Sequence, residues 1–540
     1  MATPETKPGW ILSPIAFDGT RTPVKTALFL IVCVAWLLPG LVGHDPWKND
    51  EAIAFGAVAE ILRTGNWASF AIAGEPLTGE PPLFLWTAAV LAHVLGGLMP
   101  LHDAARLAAG LYMATTLALL SAASWELMGE RAVRMSVLLM IGSLGLLIRA
   151  HEMTPELSGL AGIACALYGL TLARRRPWMA GVLTGVGLGI GYLGNGLIAA
   201  GMVVALVAAL PLASPAWRSR SLLHVAAVAA ACAAPFLLAW PLSAALAAEA
   251  AQASTRGVGY FLKQLSWYAW PAWPLSAWAL WRARRDLAQR SELHLPLVAL
   301  AVFFVAVAAF GEGRDVSLLP LLVPLAILGV AELESLPRGA ASALDWFGVM
   351  TFFLIGVLLW VVWGAALTGA PDAAASAIQK ELPGFNYRFN FIAFALAALL
   401  TLVWVVVVAR SLRSTRRALV NWAAGITMVW MLLMTLGLPL VNEARSYRTV
   451  ATRLAAAVPP DAGCIARRNV GDAQRALLDY FAKVRTVPAE LPAAERCGAL
   501  LLQTHPQRIA KPGPGWTETW RGARTGDSNE MFVLYRKASG

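Results

Sequence analysis

Long, almost uninterrupted apolar runs dominate this sequence and leave one environment open to it. They lie at roughly 26–43, 83–98, 104–127, 132–150, 157–173, 178–193, 197–213, 221–243, 262–281, 294–310, 316–331, 346–367, 389–409 and 419–440. Most are long enough to cross a hydrocarbon core about 30 Å thick. Of the 540 residues, 58% are hydrophobic and 14% are charged, against about 25% charged in soluble domains. A soluble fold cannot hide that much apolar surface, so a soluble enzyme, a disordered chain and a disulfide scaffold are excluded. The net charge is +11. In a soluble protein that would suggest nucleic acid; in a membrane protein, basic residues collect in cytoplasmic loops and their positions matter more than their sum. No nucleic-acid partner is expected.

The basic loops give a topology. Arg131 and Arg134, the run Arg174-Arg175-Arg176, Arg218 and Arg220, Arg282, Arg284, Arg285 and Arg290, and Arg410, Arg413, Arg416 and Arg417 fall in alternate loops. Placing them all in the cytoplasm, with Lys7, Arg21 and Lys25, makes every run from 104 onward alternate. Run 83–98 is short, starts after Pro81-Pro82 and contains Gly96-Gly97, so it is expected at the interface or as a re-entrant segment. That leaves about thirteen transmembrane helices. The cytoplasmic N-terminal tail covers 1–25, and the transmembrane domain covers 26–440 with juxtamembrane helices in an outer loop at 44–103. The first run is too long for a signal-peptide core and lacks a small-residue cleavage site, so it reads as an anchor.

From 441 to 540 the chain turns polar and reads as a small α/β domain on the outer side. A helix is expected over 474–485, with strands in CGALLLQT (497–504) and EMFVLYRK (530–537). Cys464 and Cys497 are the only cysteines there. On an oxidising side they either form a disulfide or stay as two buried thiols. Cys33, Cys165 and Cys232 sit in apolar runs and read as core.

The scarce outer charges are the functional candidates, because ionisable groups at the edge of a membrane are costly to place. Asp50 and Glu51 open an amphipathic stretch whose apolar residues recur at Ile53, Ala57, Ile61 and Leu62, which suits a helix lying flat on the membrane. Glu80 precedes a Pro-Pro turn. A second outer loop, RAHEMTPEL (149–157), carries Arg149, His151, Glu152 and Glu156, and Arg256, Lys263 and Arg314 fall in later outer loops. Two carboxylates from separate loops suit a general base acting on an acceptor hydroxyl or amine. Outer cations suit a leaving lipid phosphate. No Walker or Rossmann glycine motif is present, which argues against a cytosolic nucleotide donor.

Four segments carry a resemblance to a known family. They are NDEAIAFGAVAEILRTGNWASFAIAGEPLTGEPPLFLW (49–86), RAHEMTPEL (149–157), VSLLPLLVPLAIL (316–328) and EARSYRTVATRLAAAVP (443–459). In order and spacing the chain resembles bacterial lipid-linked-sugar glycosyltransferases of the GT-C fold. It is most similar to the aminoarabinose transferases that modify lipid A and to protein O-mannosyltransferases. The similarity runs over nearly the whole length.

The resemblance implies a multi-pass protein of the bacterial inner membrane with a periplasmic C-terminal domain. It implies an inverting transfer from a polyprenyl-phosphate-linked sugar to a glycolipid or protein acceptor among the membrane lipids. It assigns Asp50 as the catalytic base and Glu156, where relatives usually carry Asp, as its support. As charges of the same outer loops, and not from the resemblance, Glu51, Arg149 and His151 join them as candidate donor or acceptor contacts. Relatives carry Lys before the Pro-Pro pair and a later Lys-Gly; here these are Glu80 and Asn195-Gly196. Another cation such as Arg256, Lys263 or Arg314 then holds the phosphate, or a divalent metal bridges it to Glu80 with His151 nearby, or the donor differs. Two other classes stay open: a transporter or flippase for a lipid-linked substrate, with GVGLGIGYLGNG (185–196) as its candidate helix break, and a weakened relative that only binds polyprenyl phosphate.

Overall fold

The structure, a computed structural model, describes residues 23–246, 257–311, 313–410, 415–508 and 512–537. The N-terminal tail with Lys7 and Arg21, and the loop cations Arg256 and Arg413, lie outside the described residues.

The membrane part begins with α1 (Pro23–Leu37), the juxtamembrane helix α2 (Asp50–Thr64), a small hairpin of β1 (Phe70–Ile72) and β2 (Glu75–Leu77), and α3 (Pro82–Leu95). It continues through α4 (Leu101–Met128), α5 (Glu130–Ile141), α6 (Leu146–Arg149), α7 (Glu156–Thr171), α8 (Pro177–Ala213) and α9 (Arg220–Ala239). Then follow α10 (Val258–Tyr268), α11 (Ala272–Ala283), α12 (Ser291–Phe310), α13 (Leu319–Ala331), α14 (Arg338–Thr368), α15 (Asp372–Glu381), α16 (Phe391–Arg410), α17 (Thr415–Leu432) and α18 (Leu438–Arg445). Among the described residues, 7 helical stretches are long and apolar enough to cross a membrane, and shorter apolar helices pack beside them. With 14 residues, α3 reaches only about 21 Å, short of a 30 Å core.

One expected span is broken, and two neighbouring ones meet at a tight reversal of the chain. The run 132–150 is broken after Ile141. A Cβ on Gly145 would lie 2.2 Å from the Tyr268 ring, and Leu144 and Gly145 donate their N–H groups to the carbonyls of Trp270 and Tyr268 at 3.1 and 2.8 Å. The chain leaves the helix to make these bonds, and a short helix, α6, follows at Leu146–Arg149. In α8 the runs 178–193 and 197–213 meet at Asn195 (φ −151°) and Gly196 (φ 65°). Ala199 Cβ comes within 3.5 Å of where a Cβ on Gly191 would sit; in an unbroken helix these residues would be about 12 Å apart. The chain therefore doubles back here, and Gly194 packs on Ser158 and Gly159.

Three of the basic loops come together, through Arg131, Arg290 and Arg416. A single cavity there is lined by Arg131, Arg290, Glu332, Glu334 and Arg416. Arg290 pairs with Glu332 and Arg416 with Glu334, while Arg174 donates to Ala216 O at 2.7 Å.

The C-terminal part holds α19 (Arg448–Ala457), β3 (Ile465–Arg468), α20 (Asp472–Ala482), β4 (Val487–Pro488), β5 (Ala499–Thr504), β6 (Trp516–Gly522) and β7 (Met531–Lys537). The five strands form one sheet in the order β4-β3-β5-β7-β6. β3 runs parallel to β5, and β7 runs antiparallel to both β5 and β6. Cys464 and Cys497, just ahead of the parallel pair, are joined by a disulfide with Cα atoms 4.6 Å apart.

The sheet domain sits on α2. Gly56 faces Ala476 of α20 so closely that a Cβ at 56 would lie 2.6 Å from the Ala476 Cβ. Arg448 pairs with Asp45, Arg467 and Arg475 grip Glu75, and Lys48 reaches Glu530 at 3.5 Å. The amphipathic stretch expected to lie flat with one wet face is instead covered above as well as below.

Candidate active site

Successive residues at the start of α2 point about 100° apart, and this separates Asp50 from Glu51. Glu51 turns inward and is 2% exposed. Its Oε1 accepts from Arg106 Nε at 2.5 Å, and its Oε2 from the Trp47 amide at 2.8 Å. Burial opposes its charge, but Arg106, His44 and these bonds outweigh burial and hold its carboxyl below the usual range. Arg106 also donates to Asp103 at 2.8 Å and to the carbonyl of His44 at 3.1 Å. Glu51 is therefore spent on a buried ion pair that seats α2, and the expectation of a ligand contact there is corrected.

Asp50 turns outward, at the N-terminal end of α2 where the helix dipole favours a negative charge. Two loops meet it. Arg149 closes α6 and donates to Asp50 Oδ2 at 3.3 Å, to Glu152 at 3.4 Å, and to both oxygens of Asp315 at 2.9 and 3.2 Å. Arg314 donates to Asp50 Oδ1 at 3.1 Å and to Glu156 Oε1 at 2.7 Å. Glu156 is the first residue of α7. Asp50, Arg149, Glu156 and Arg314, separated by up to 264 positions in sequence, are brought into one cluster.

Beside it lies a cavity of about 260 Å³ lined by Lys48, Asp50, Arg149, Glu152, Trp267, Asp315 and Arg445, with the backbone at Leu144-Gly145 as its wall. Around the cluster and its cavity, the carboxylates of Asp50, Glu152, Glu156 and Asp315 face the cations Lys48, Arg149, Arg314 and Arg445. Burial first, then the Glu51 charge, push the Glu152 carboxyl up to about 7, while Arg149 and Arg445 pull against them. Glu152 thus exchanges a proton near neutral pH.

The other expected residues fall elsewhere. His151 is 1% exposed, and its ring nitrogens lie 2.7 Å from the carbonyls of Leu147 and Trp36. With both nitrogens so engaged it cannot ligate a metal or touch a donor, which corrects that expectation. Glu80 is half-buried in the turn before α3 and does not line the cavity, so the expected Glu80–metal–His151 bridge has no geometry to support it. Among the described residues, no group of three or more His, Cys, Asp or Glu side chains is arranged to hold a metal ion. Lys263 is exposed on α10 and joins none of the ion pairs among the described residues. Asp315 and Arg445 were not singled out in the sequence. Asp315 was open to detection by the same rule that picked Arg314, as an ionisable residue at the mouth of a span. Arg445 was hidden in the basic tail.

No protein-family model matches the chain, and no curated protein matches it in sequence. Its fold does match solved structures. ArnT from Cupriavidus metallidurans bound to undecaprenyl phosphate superposes with a TM-score of 0.66 at 16% identity, covering 95% of this chain and 98% of that one. The same protein in the apo state gives 0.65. The Archaeoglobus fulgidus oligosaccharyltransferase tethered to an acceptor peptide gives 0.50 at 11% identity, with 88% of this chain covering 64% of that one. A helical membrane domain that positions α2 beneath a C-terminal sheet, superposing from end to end on ArnT, gives this chain the GT-C fold.

Proposed function

We propose that the protein is an inverting glycosyltransferase that moves a sugar from a polyprenyl-phosphate-linked donor to a glycolipid or protein acceptor at the outer membrane face. The observation that carries this reading is Arg314 bridging Asp50 and Glu156 at the edge of a cavity bounded by membrane helices. A carboxylate offers about four lone-pair positions, and the two guanidinium contacts leave Asp50 others for an acceptor. The Asp50 carboxylate takes the acceptor's O–H or N–H proton. The acceptor atom bonds to the anomeric carbon, the carbon–phosphate-oxygen bond breaks, and polyprenyl phosphate leaves. Arg149 and Arg314 hold Asp50 in position, and guanidinium groups at the cavity offset the charge that develops on the phosphate.

The same reading sets the orientation. The disulfide Cys464–Cys497 favours the oxidising periplasm for the sheet domain. The arginine-lined loops favour the cytoplasm, with the N-terminus there and about thirteen spans in the inner membrane. The test is mass spectrometry of envelope lipids and proteins from a deletion strain complemented with wild type or with Asp50→Asn. A mass increment of one sugar that returns only with wild type is the expected result. Its return with Asp50→Asn removes Asp50 from the chemistry.

A further inference from the structure

Three cations line the cavity beside Asp50, and they differ in what already holds them. Arg149 is committed to Asp50, Glu152 and Asp315. Lys48 reaches across to Glu530 in the sheet domain at 3.5 Å. Arg445, the last residue of α18, makes no ion pair among the described residues. It is exposed, and its guanidinium lies over the ring of Trp47 at 5.2 Å from the centroid.

Trp47 is a fixed platform. It is 3% exposed. Its indole N–H donates to Asn442 Oδ1 at 3.3 Å, its amide is held by Glu51, and its ring stacks on His44 at 4.1 Å. A cation held over an aromatic ring uses no hydrogen-bond acceptor in that contact, so its N–H donors stay available. Arginine presents those donors as a planar fork that matches phosphate oxygens. Apart from Arg445, the cations on the cavity wall are already paired, Lys48 with Glu530 and Arg149 with Asp50, Glu152 and Asp315.

We propose that Arg445 grips the phosphate of the polyprenyl-linked donor, so that the helix leading into the sheet domain, and not the first outer loop, supplies the phosphate-binding cation. This rests on the glycosyl-transfer reading for the identity of the ligand. Trp47 holds the fork at the rim, Arg445 swings its donors to the phosphate, and the sugar projects toward Asp50.

The test uses the full-length protein in nanodiscs, titrated with undecaprenyl phosphate and, separately, with undecaprenol, which lacks the phosphate. Arg445→Gln is expected to weaken undecaprenyl phosphate binding by about tenfold to a hundredfold and to leave undecaprenol unchanged. Arg445→Lys restores part of the loss. An unchanged melting temperature confirms that both variants fold. Binding of undecaprenyl phosphate by Arg445→Gln within about twofold of wild type overturns the proposal, as does an equal loss for both lipids. If the proposal fails in this way while Asp50→Asn still abolishes transfer, the glycosyltransferase reading stands without it. If wild type transfers no sugar yet loses phosphate-dependent binding with Arg445→Gln, the site stands and the reading falls.

Discussion

Arg106 reaches 55 positions back along the chain to bind Glu51 at 2.5 Å, directly behind the residue that faces the cavity. Arg106 has no exposed surface. Removing one partner of such a pair leaves a buried charge uncompensated, at a cost of about 3–5 kcal/mol. Arg106→Met is therefore expected to lower the melting temperature of the purified protein sharply, and Glu51→Gln less so. A variant that melts with wild type would mean that α2 is seated by other contacts.

Asp50 and Glu156 share Arg314 but not the same task. Asp50→Asn keeps the shape and removes the base, so transfer is expected to fall by about 10²- to 10⁴-fold. Glu156→Gln loosens Arg314 and is expected to cost less. Initial rates with a single donor and acceptor pair separate the two. Equal losses would argue that both carboxylates take part in proton transfer.

Glu152 supplies the pH dependence. Its carboxyl is pushed up to about 7 in the folded protein from an ordinary value of 4.5. A raised acid binds its proton more tightly when folded, so the stability it contributes is complete below pH 4.5 and is lost as pH rises through about 7. Glu152→Gln is expected to melt higher than wild type at pH 8 and to show a flatter profile between pH 5 and 8. A parallel profile for the variant would assign the dependence to another group.

The Cys464–Cys497 disulfide closes a loop of 33 residues, which constrains the unfolded chain by about 3–4 kcal/mol. Cys464→Ser is expected to make the sheet domain sensitive to limited proteolysis at temperatures where wild type resists. Reductant should have the same effect on wild type and none on the variant.

Gly145 has the Tyr268 ring where a side chain would start. Gly145→Ala is expected to cost about 1–3 kcal/mol through overpacking and to displace the loop carrying Arg149. Tyr268→Ala should partly restore the double variant, measured by melting temperature. No recovery would place the strain elsewhere.

The sequence exposed some of this and hid the rest for identifiable reasons. Arg149, Glu156 and Arg314 stood out because each is a charge at the end of an apolar run, and Asp50 because it opens an amphipathic stretch in an outer loop; both properties are local. The amphipathic period of α2 was visible too, but the α20 surface that covers it was not, because a helix sequence does not name its partner. Glu51 and His151 looked as exposed as their neighbours. Only tertiary contacts with Arg106, and with the carbonyls of Trp36 and Leu147, show them to be internal. The break after Ile141 was concealed by an unbroken apolar run, since its cause is Tyr268 from a distant helix. Arg445 lay among many basic residues, and nothing in its neighbours marked it apart.

The contact between Gly56 and Ala476 ties the sheet domain directly to the helix that presents Asp50. One face of α2 is dry only because α20 covers it, and the other only because α4 and its neighbours lie beneath. Cleaving the chain near residue 446 would not release an independent appendage. It would wet Ala52, Gly56 and Ala476 together and loosen the helix that presents Asp50. The two parts are expected to unfold in one cooperative step, so a truncation made to simplify the protein would abolish the site while leaving every residue of the cluster in place.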